Sequence, residues 1–254
     1  AMERGRAPAA NRRYRQRRFW DALYRRQQGA EPREWLGALS RFLPQLRAEL
    51  RPGDRILVLG CGNSALSHDL HELGYTDVTS IDYSGACIAA QRARYAHCPG
   101  LRWARMDMRA LAFPDAAFDV VLEKGTLDVL MVEETDPWHV SPRAAAEMRR
   151  VLMKVSRVLR PGGRFISITF AQPHFRKPHY AQEAFGWSLR HAACAGPDAG
   201  TFHYFLYVMC KGQPLDPLDL ALGQRLLQPP PPPAPPPPSL PPDDDEDYLF
   251  AIQL

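Results

Sequence analysis

With 254 residues, 45% of them hydrophobic and 24% charged, the chain has the make-up of an ordinary globular protein with a sizeable core. Its longest apolar runs, 55–59 and 202–210, fall far short of the roughly 20 residues that cross a bilayer, so a soluble protein away from membranes is expected. The five cysteines are scattered and never spaced as CxxC, which argues against a disulfide framework or a zinc motif and for a reducing, cytoplasmic setting.

The net charge of +4 is unevenly spread: five acids at 243–247 leave +9 for the rest of the chain. Seven arginines and one acid fall within residues 1–18. Such a run suits a nucleic-acid arm, a mitochondrial presequence or an acidic partner, but a solvated tail is the simpler reading. Residues 1–17 are therefore expected to form a flexible basic N-terminus. Residues 19–50 read as helical, from the stripe Phe19, Trp20, Leu23, Tyr24 and from leucines 36, 39, 43, 46 and 50 at spacings of three and four, up to the stop at Arg51-Pro52-Gly53.

Short apolar strands then alternate with amphipathic helices. Strands are expected near 55–59, 78–81, 101–105, 118–122 and 164–170, helices near 64–73, 85–95 and 142–159, and a turn at Pro161-Gly162-Gly163. The segments 187–192 and 202–211, separated by loop residues, read as an antiparallel hairpin. The fold class is thus α/β: a seven-stranded, Rossmann-like sheet of five parallel strands closed by an antiparallel hairpin, with helices on both faces. A dinucleotide-binding fold typically continues with parallel strands instead. This domain is expected to span 18–228. Residues 229–254, a proline-rich spacer with an acidic and apolar end, form a tail outside it.

In such a sheet, ligands bind beyond the carboxyl ends of the strands. The first strand ends in Gly60-Cys61-Gly62-Asn63-Ser64, the second in Asp82-Tyr83-Ser84, the third in Met106-Asp107-Met108 and the fourth in Glu123-Lys124-Gly125-Thr126. Gly60 and Gly62 permit close approach of a ligand to the main chain at a helix N-terminus. Asp82, twenty residues beyond Gly62, is placed to accept from ribose hydroxyls. Tyr83 offers a flat face to adenine, Asp107 an acceptor for its amino group, and Met108 an adaptable cover. The glycine turn with its acid would equally suit a nicotinamide dinucleotide. Asp107-Met108 and the hairpin favour S-adenosylmethionine, with S-adenosylhomocysteine as product and no metal. His68 and His71, three apart with no third ligand in view, read as surface or capping residues.

Trp20-x-x-x-Tyr24, Glu34-Trp35, the run 57–64, Met106-Asp107-Met108 and the run Val121 to Asp128 together resemble the methyltransferase family that modifies elongation factor 1-alpha. The segments 173–175, 179–182, 186–192 and 251–254 extend the likeness, which covers the chain from about Arg18 to its end. The resemblance implies a protein-lysine N-methyltransferase with elongation factor 1-alpha as partner. It also implies an N-terminal helical lid in which Trp20, Tyr24 and Trp35 cover the donor, with Lys124 in the same pocket. Spacing alone puts Trp20 and Tyr24 on one helix face, which fits core packing equally.

The common methyltransferase pattern has an acid two residues before the first glycine, where this chain has Val58; Lys124 or a backbone group is expected to take over that contact. Glu123 is the candidate catalytic residue, to orient the target ammonium or accept its proton, with the fixing of Lys124 or a main-chain turn as the alternative. The segment 173–180 is expected to border the acceptor entrance. A methyltransferase of RNA or of a small molecule, and a donor-binding interaction protein without catalysis, are the competing readings. An adenine N-methyltransferase usually carries an Asn-Pro-Pro-Tyr-like motif after strand four, where this chain has Glu-Lys-Gly-Thr, so nucleic acid is not expected as partner. A monomer is expected.

Overall fold

The computed structural model describes residues 9–27, 29–134, 140–194 and 203–228; the proline tract and acidic end lie outside the described residues. The chain begins with α1 (Ala9–Arg12) and α2 (Arg17–Arg26), followed after a long extended stretch by α3 (Leu43–Arg47). Then come β1 (Ile56–Leu59), α4 (Leu66–Glu72), β2 (Val78–Asp82), α5 (Gly85–Arg94), β3 (Leu101–Arg105) and β4 (Phe118–Lys124). The remainder is α6 (Pro142–Val158), β5 (Leu159–Thr169), α7 (Pro173–Tyr180), β6 (Trp187–Cys194), β7 (Tyr204–Lys211) and α8 (Pro217–Leu227).

The seven strands form one sheet in the order β3-β2-β1-β4-β5-β7-β6. Strands β1 to β5 pair in parallel, and β7 runs antiparallel to both β5 and β6. The order reverses between β1 and β4, which opens a crevice at their carboxyl ends. The central strand β1, Ile-Leu-Val-Leu, is buried on both faces, as its unbroken apolar run requires, whereas edge strand β3 alternates buried and exposed residues. One face packs on α2 to α5 through Trp20, Leu46, Leu66 and Cys87. The other packs on α6 and α7 through Met148, Val151, Leu152, Val155 and Tyr180. The α6 residues recur at three- and four-residue spacing, start behind the Ser141 cap with Pro142 in the first turn, and each stabilise the fold by roughly 1.5–3 kcal/mol.

Two expectations need correction. Residues 19–50 are not continuous helix: α2 ends at Arg26, and Gly29, Leu36 and Gly37 all take positive φ before the chain turns helical again. The leucine periodicity belongs to short turns that bury Leu39 and Leu46, with Pro32 and the two glycines breaking the helix between. The turn at 161–163 is a bulge inside β5, where pairing jumps from Phe118↔Leu159 to Val120↔Arg164; Gly162 takes φ +75° there. Residues 173–180, to which the sequence pattern assigned no element, form a helix: Pro173 occupies its tolerant first turn and Arg176, His179 and Tyr180 bury one face.

Candidate active site

A cavity of about 310 Å³ opens at the carboxyl ends of β1, β2 and β4. Its floor is the turn Gly60 to Ser64. Gly60 takes φ +60°, and a Cβ there would lie 2.3 Å from Thr126 Cγ2. Thr126 packs so closely because its Oγ1 donates to the Leu59 and Gly60 carbonyls, at 3.0 and 3.2 Å. Gly62, at φ +53°, faces the Tyr24 hydroxyl. The turn is braced from below: Gln91 Nε2 donates to the Gly62 and Ser64 carbonyls (2.9 and 2.8 Å), and Cys87 Sγ to Gly62 O (3.0 Å). Cys61 and Cys87 are both buried thiols.

Asp82, Tyr83, Asp107 and Met108 all line this cavity. Asp82 accepts from the Gly62 amide (3.2 Å) and the Ser84 amide (2.8 Å), which ties the end of β2 to the glycine turn. Burial pushes its carboxyl up to about 6 in spite of these bonds. Burial also works against ionisation of Asp107, but the fork of Arg109 Nε and Nη2 outweighs it and holds that carboxyl below the usual range.

The opposite wall is aromatic. Trp20 and Tyr24, on one face of α2, are buried and stacked with ring centroids 5.8 Å apart. Trp35 stands edge-on to Trp20 at 6.0 Å and to Tyr14 at 6.1 Å. Lys124 fastens this wall: its Nζ donates to Glu34 Oε2 (2.7 Å), the Trp35 carbonyl (2.6 Å) and the Gly37 carbonyl (3.0 Å). Lys124 lines the cavity, but with all three donors engaged it serves as an anchor. Burial lowers its pKa from the usual lysine value against the pull of Glu34. Glu34 also accepts from Ser64 Oγ (2.8 Å) and the Ala65 amide (2.6 Å). A carboxylate thus reaches the glycine turn from a remote segment in a chain that has Val58 where the common pattern has its acid.

Glu123, the candidate catalytic residue, lies behind the cavity wall. It is wholly buried and is not among the cavity-lining residues. Its carboxylate accepts from the Thr126 amide (2.9 Å), the Leu127 amide (3.1 Å) and Ser167 Oγ, and so fixes the turn after β4. Burial and the neighbouring Asp128 hold its carboxyl well above the ordinary range. The α7 residues likewise point into the core: Arg176, His179 and Tyr180 are buried, and burial with Arg176 alongside pushes His179 down to about 3, hence neutral. No α7 residue lines the cavity; Phe170, 52% exposed just after β5, does.

Sequence reasoning missed several wall residues. Tyr14 and Arg15 line the cavity, so the wall begins ahead of the boundary expected at residue 18. Arg15 pairs with Glu133 (3.0 Å) and Glu147 (2.5 Å). An arginine in an arginine-rich run carries no signal of such partners. Asp128 lines the cavity as well, and its position five residues past Glu123 was the available clue. His68 stacks on Tyr95 at 4.7 Å, and ligand atoms of His68, His97 and Cys98 lie within 4.8 Å of one another, a proximity across thirty residues that spacing does not reveal.

A methyltransferase-domain family model matches residues 57–167. The chain is 53% identical to EEF1A lysine methyltransferase 4 of Bos taurus over 97% of its own length and 95% of that protein's, and 51% identical to the Mus musculus protein of the same name over the same shares. Among solved structures, the N-methyltransferase NodS from Bradyrhizobium japonicum WM9, in complex with S-adenosyl-l-homocysteine, superposes with a TM-score of 0.54 at 15% identity, covering 76% of this chain and 99% of that one. Fold, cavity and matches together define an S-adenosylmethionine-dependent class I methyltransferase. Within that class, the chain belongs to the EEF1A lysine methyltransferase 4 family and is a protein-lysine methyltransferase.

Proposed function

We propose that the enzyme transfers a methyl group from S-adenosylmethionine to the Nζ of a lysine in elongation factor 1-alpha. The supporting observation is 53% identity along nearly the whole of both chains to a relative of that name, in a chain whose cavity is intact. The residues fit the donor. Gly60 and Gly62 hold the turn at positive φ, packed against Thr126 and Tyr24, and Asp82, which lines the cavity beside it, offers a carboxylate to ribose hydroxyls. Tyr83 and Met108 would flank the adenine, with Asp107 accepting from its amino group. Trp20, Tyr24 and Trp35 would cover it, held by Lys124.

When bound, the sulfonium supplies an electrophilic methyl: the amine lone pair forms the N–C bond, the C–S pair returns to sulfur, and S-adenosylhomocysteine and a methylammonium result. The protein's share is alignment and exclusion of water, and desolvation of the lysine on entering the cavity makes its charged form less favourable than in solution. The acceptor's proton leaves to water at the cavity mouth before transfer. Glu123 contributes by holding the turn that carries Thr126 and Leu127. We assign a monomer acting in the cytoplasm, in keeping with five free cysteines.

Purified enzyme with tritiated donor should label recombinant elongation factor 1-alpha, and mass spectrometry should map the label to lysine. Label confined to RNA in a mixed lysate, or no label on the factor, would overturn this reading.

A further inference from the structure

Away from the glycine turn, the cavity is also lined by Phe170, Val129, Leu130 and Val132, with Asp128 and the Arg15–Glu147 ion pair as polar groups. Asp128 is itself buried, with 8% of its side chain exposed. Its Oδ1 accepts from Thr169 Oγ1 at 2.5 Å and from Arg176 Nη2, whereas its Oδ2 has no partner. A buried carboxylate oxygen without a donor is uncommon enough to need a reason. Arg176 could have met both oxygens as a fork, yet it uses one nitrogen, and its Nε and Nη1 are also without partners.

We propose that Asp128 is the docking point of the acceptor lysine: its Oδ2, closed from solvent in the free enzyme, is uncovered to accept an N–H of the substrate amine as Phe170 and the neighbouring aliphatic side chains move to enclose the lysine stem. This rests on the lysine-methylation reading and names the residue that would meet the substrate.

The surroundings of Asp128 suit a nucleophile rather than a permanent ion pair. An isolated carboxylate would hold the lysine as an ammonium, whose nitrogen has no lone pair to give. Here Arg176, with 3% of its side chain exposed, offsets the charge of Asp128. Thr169 adds a neutral donor, and Glu123, Tyr180 and Tyr207 are the other titratable groups acting on this pair. The carboxylate therefore remains a directional acceptor while the guanidinium beside it disfavours a second cation. Docking moves no proton and forms no bond, so the transfer keeps the balance given above.

Asp128→Asn tests the assignment. Affinity for S-adenosylhomocysteine, read by calorimetry, should stay within about twofold, whereas kcat/KM on elongation factor 1-alpha should fall about a hundredfold as the amine loses its alignment. Independently of any enzyme variant, the wild-type complex with S-adenosylhomocysteine should bind elongation factor 1-alpha about tenfold more tightly than a form whose mapped lysine is methionine. The Asp128→Asn complex should bind the two forms equally. If Asp128→Asn does not fold, Asp128→Asn/Arg176→Met, which removes both charges, carries the same comparison. Unchanged kcat/KM in the variant, or equal wild-type affinity for the two forms, overturns the docking role alone. Absence of wild-type transfer to the factor overturns the proposed function and this assignment with it.

Discussion

The two ends of the cavity are built differently. At the proposed donor end, each polar group already has protein partners: Asp82 holds the Gly62 and Ser84 amides, Asp107 the Arg109 fork, and Lys124 three oxygens of the segment 34–37. At the proposed acceptor end, Asp128 and Arg176 keep unmatched polar atoms. A site shaped in advance has little ordering left to do when its ligand arrives. A site that receives a visiting side chain must keep bonding capacity in reserve.

The largest blow to this contrast should come from Gly60→Ala. The substitution adds a Cβ 2.3 Å from Thr126 Cγ2 at φ +60°, so either the floor or the turn after β4 must shift. Left-handed backbone and overpacking together should cost about 2–4 kcal/mol, read as a lower Tm, and donor affinity should fall more than about a hundredfold by calorimetry. Full donor affinity would mean that the floor is not rigid. Lys124→Met should do less. It releases the Trp35 segment and leaves Glu34 without its cation, so donor affinity should drop about thirtyfold while the fold survives. An unchanged affinity would show that the aromatic wall holds without its anchor.

The smallest effect should come from pH. Ribose hydroxyls favour the ionised form of Asp82, whose carboxyl lies at about 6 in the free enzyme. Donor affinity should thus be nearly full above pH 7 and decline as pH falls through 6, by about fourfold between pH 7 and 5.5. Affinity that rises on acidification would reverse the role given to Asp82.

The sequence pattern carried the donor end far better than the acceptor end, for physical reasons. Strand ends in a parallel sheet converge by topology, so Gly60, Asp82 and Asp107 could be assigned to one crevice from the strand pattern, whereas Lys124 came from the family resemblance. The side on which a residue points after its strand ends is set by tertiary packing. Glu123, at the end of β4, and Asp128, just beyond it, are both acids, yet the first turns inward to cap amides and the second reaches the cavity wall. The 173–180 segment was expected at the acceptor entrance, but its Arg176 and His179 face inward, and only packing in the fold makes them core residues. The break in the leucine pattern between α2 and α3 was signalled by Gly29, Pro32 and Gly37, outvoted by the apolar spacing.

At the glycine floor, Cys61 and Cys87 have a consequence for the enzyme's chemical durability. The thiolate is the form that oxidants and alkylating reagents attack. The closeness of the two thiols favours ionisation of Cys61 and opposes that of Cys87, burial and the charge of Asp82 oppose both, and both end above their ordinary range. They are therefore held protonated, Cys61 in the floor itself and Cys87 buried beneath it. A cysteine set between two glycines, which on its face invites inactivation under oxidative stress, is a quiet part of the floor, and Cys210, half-buried on β7, is the thiol more open to reagents.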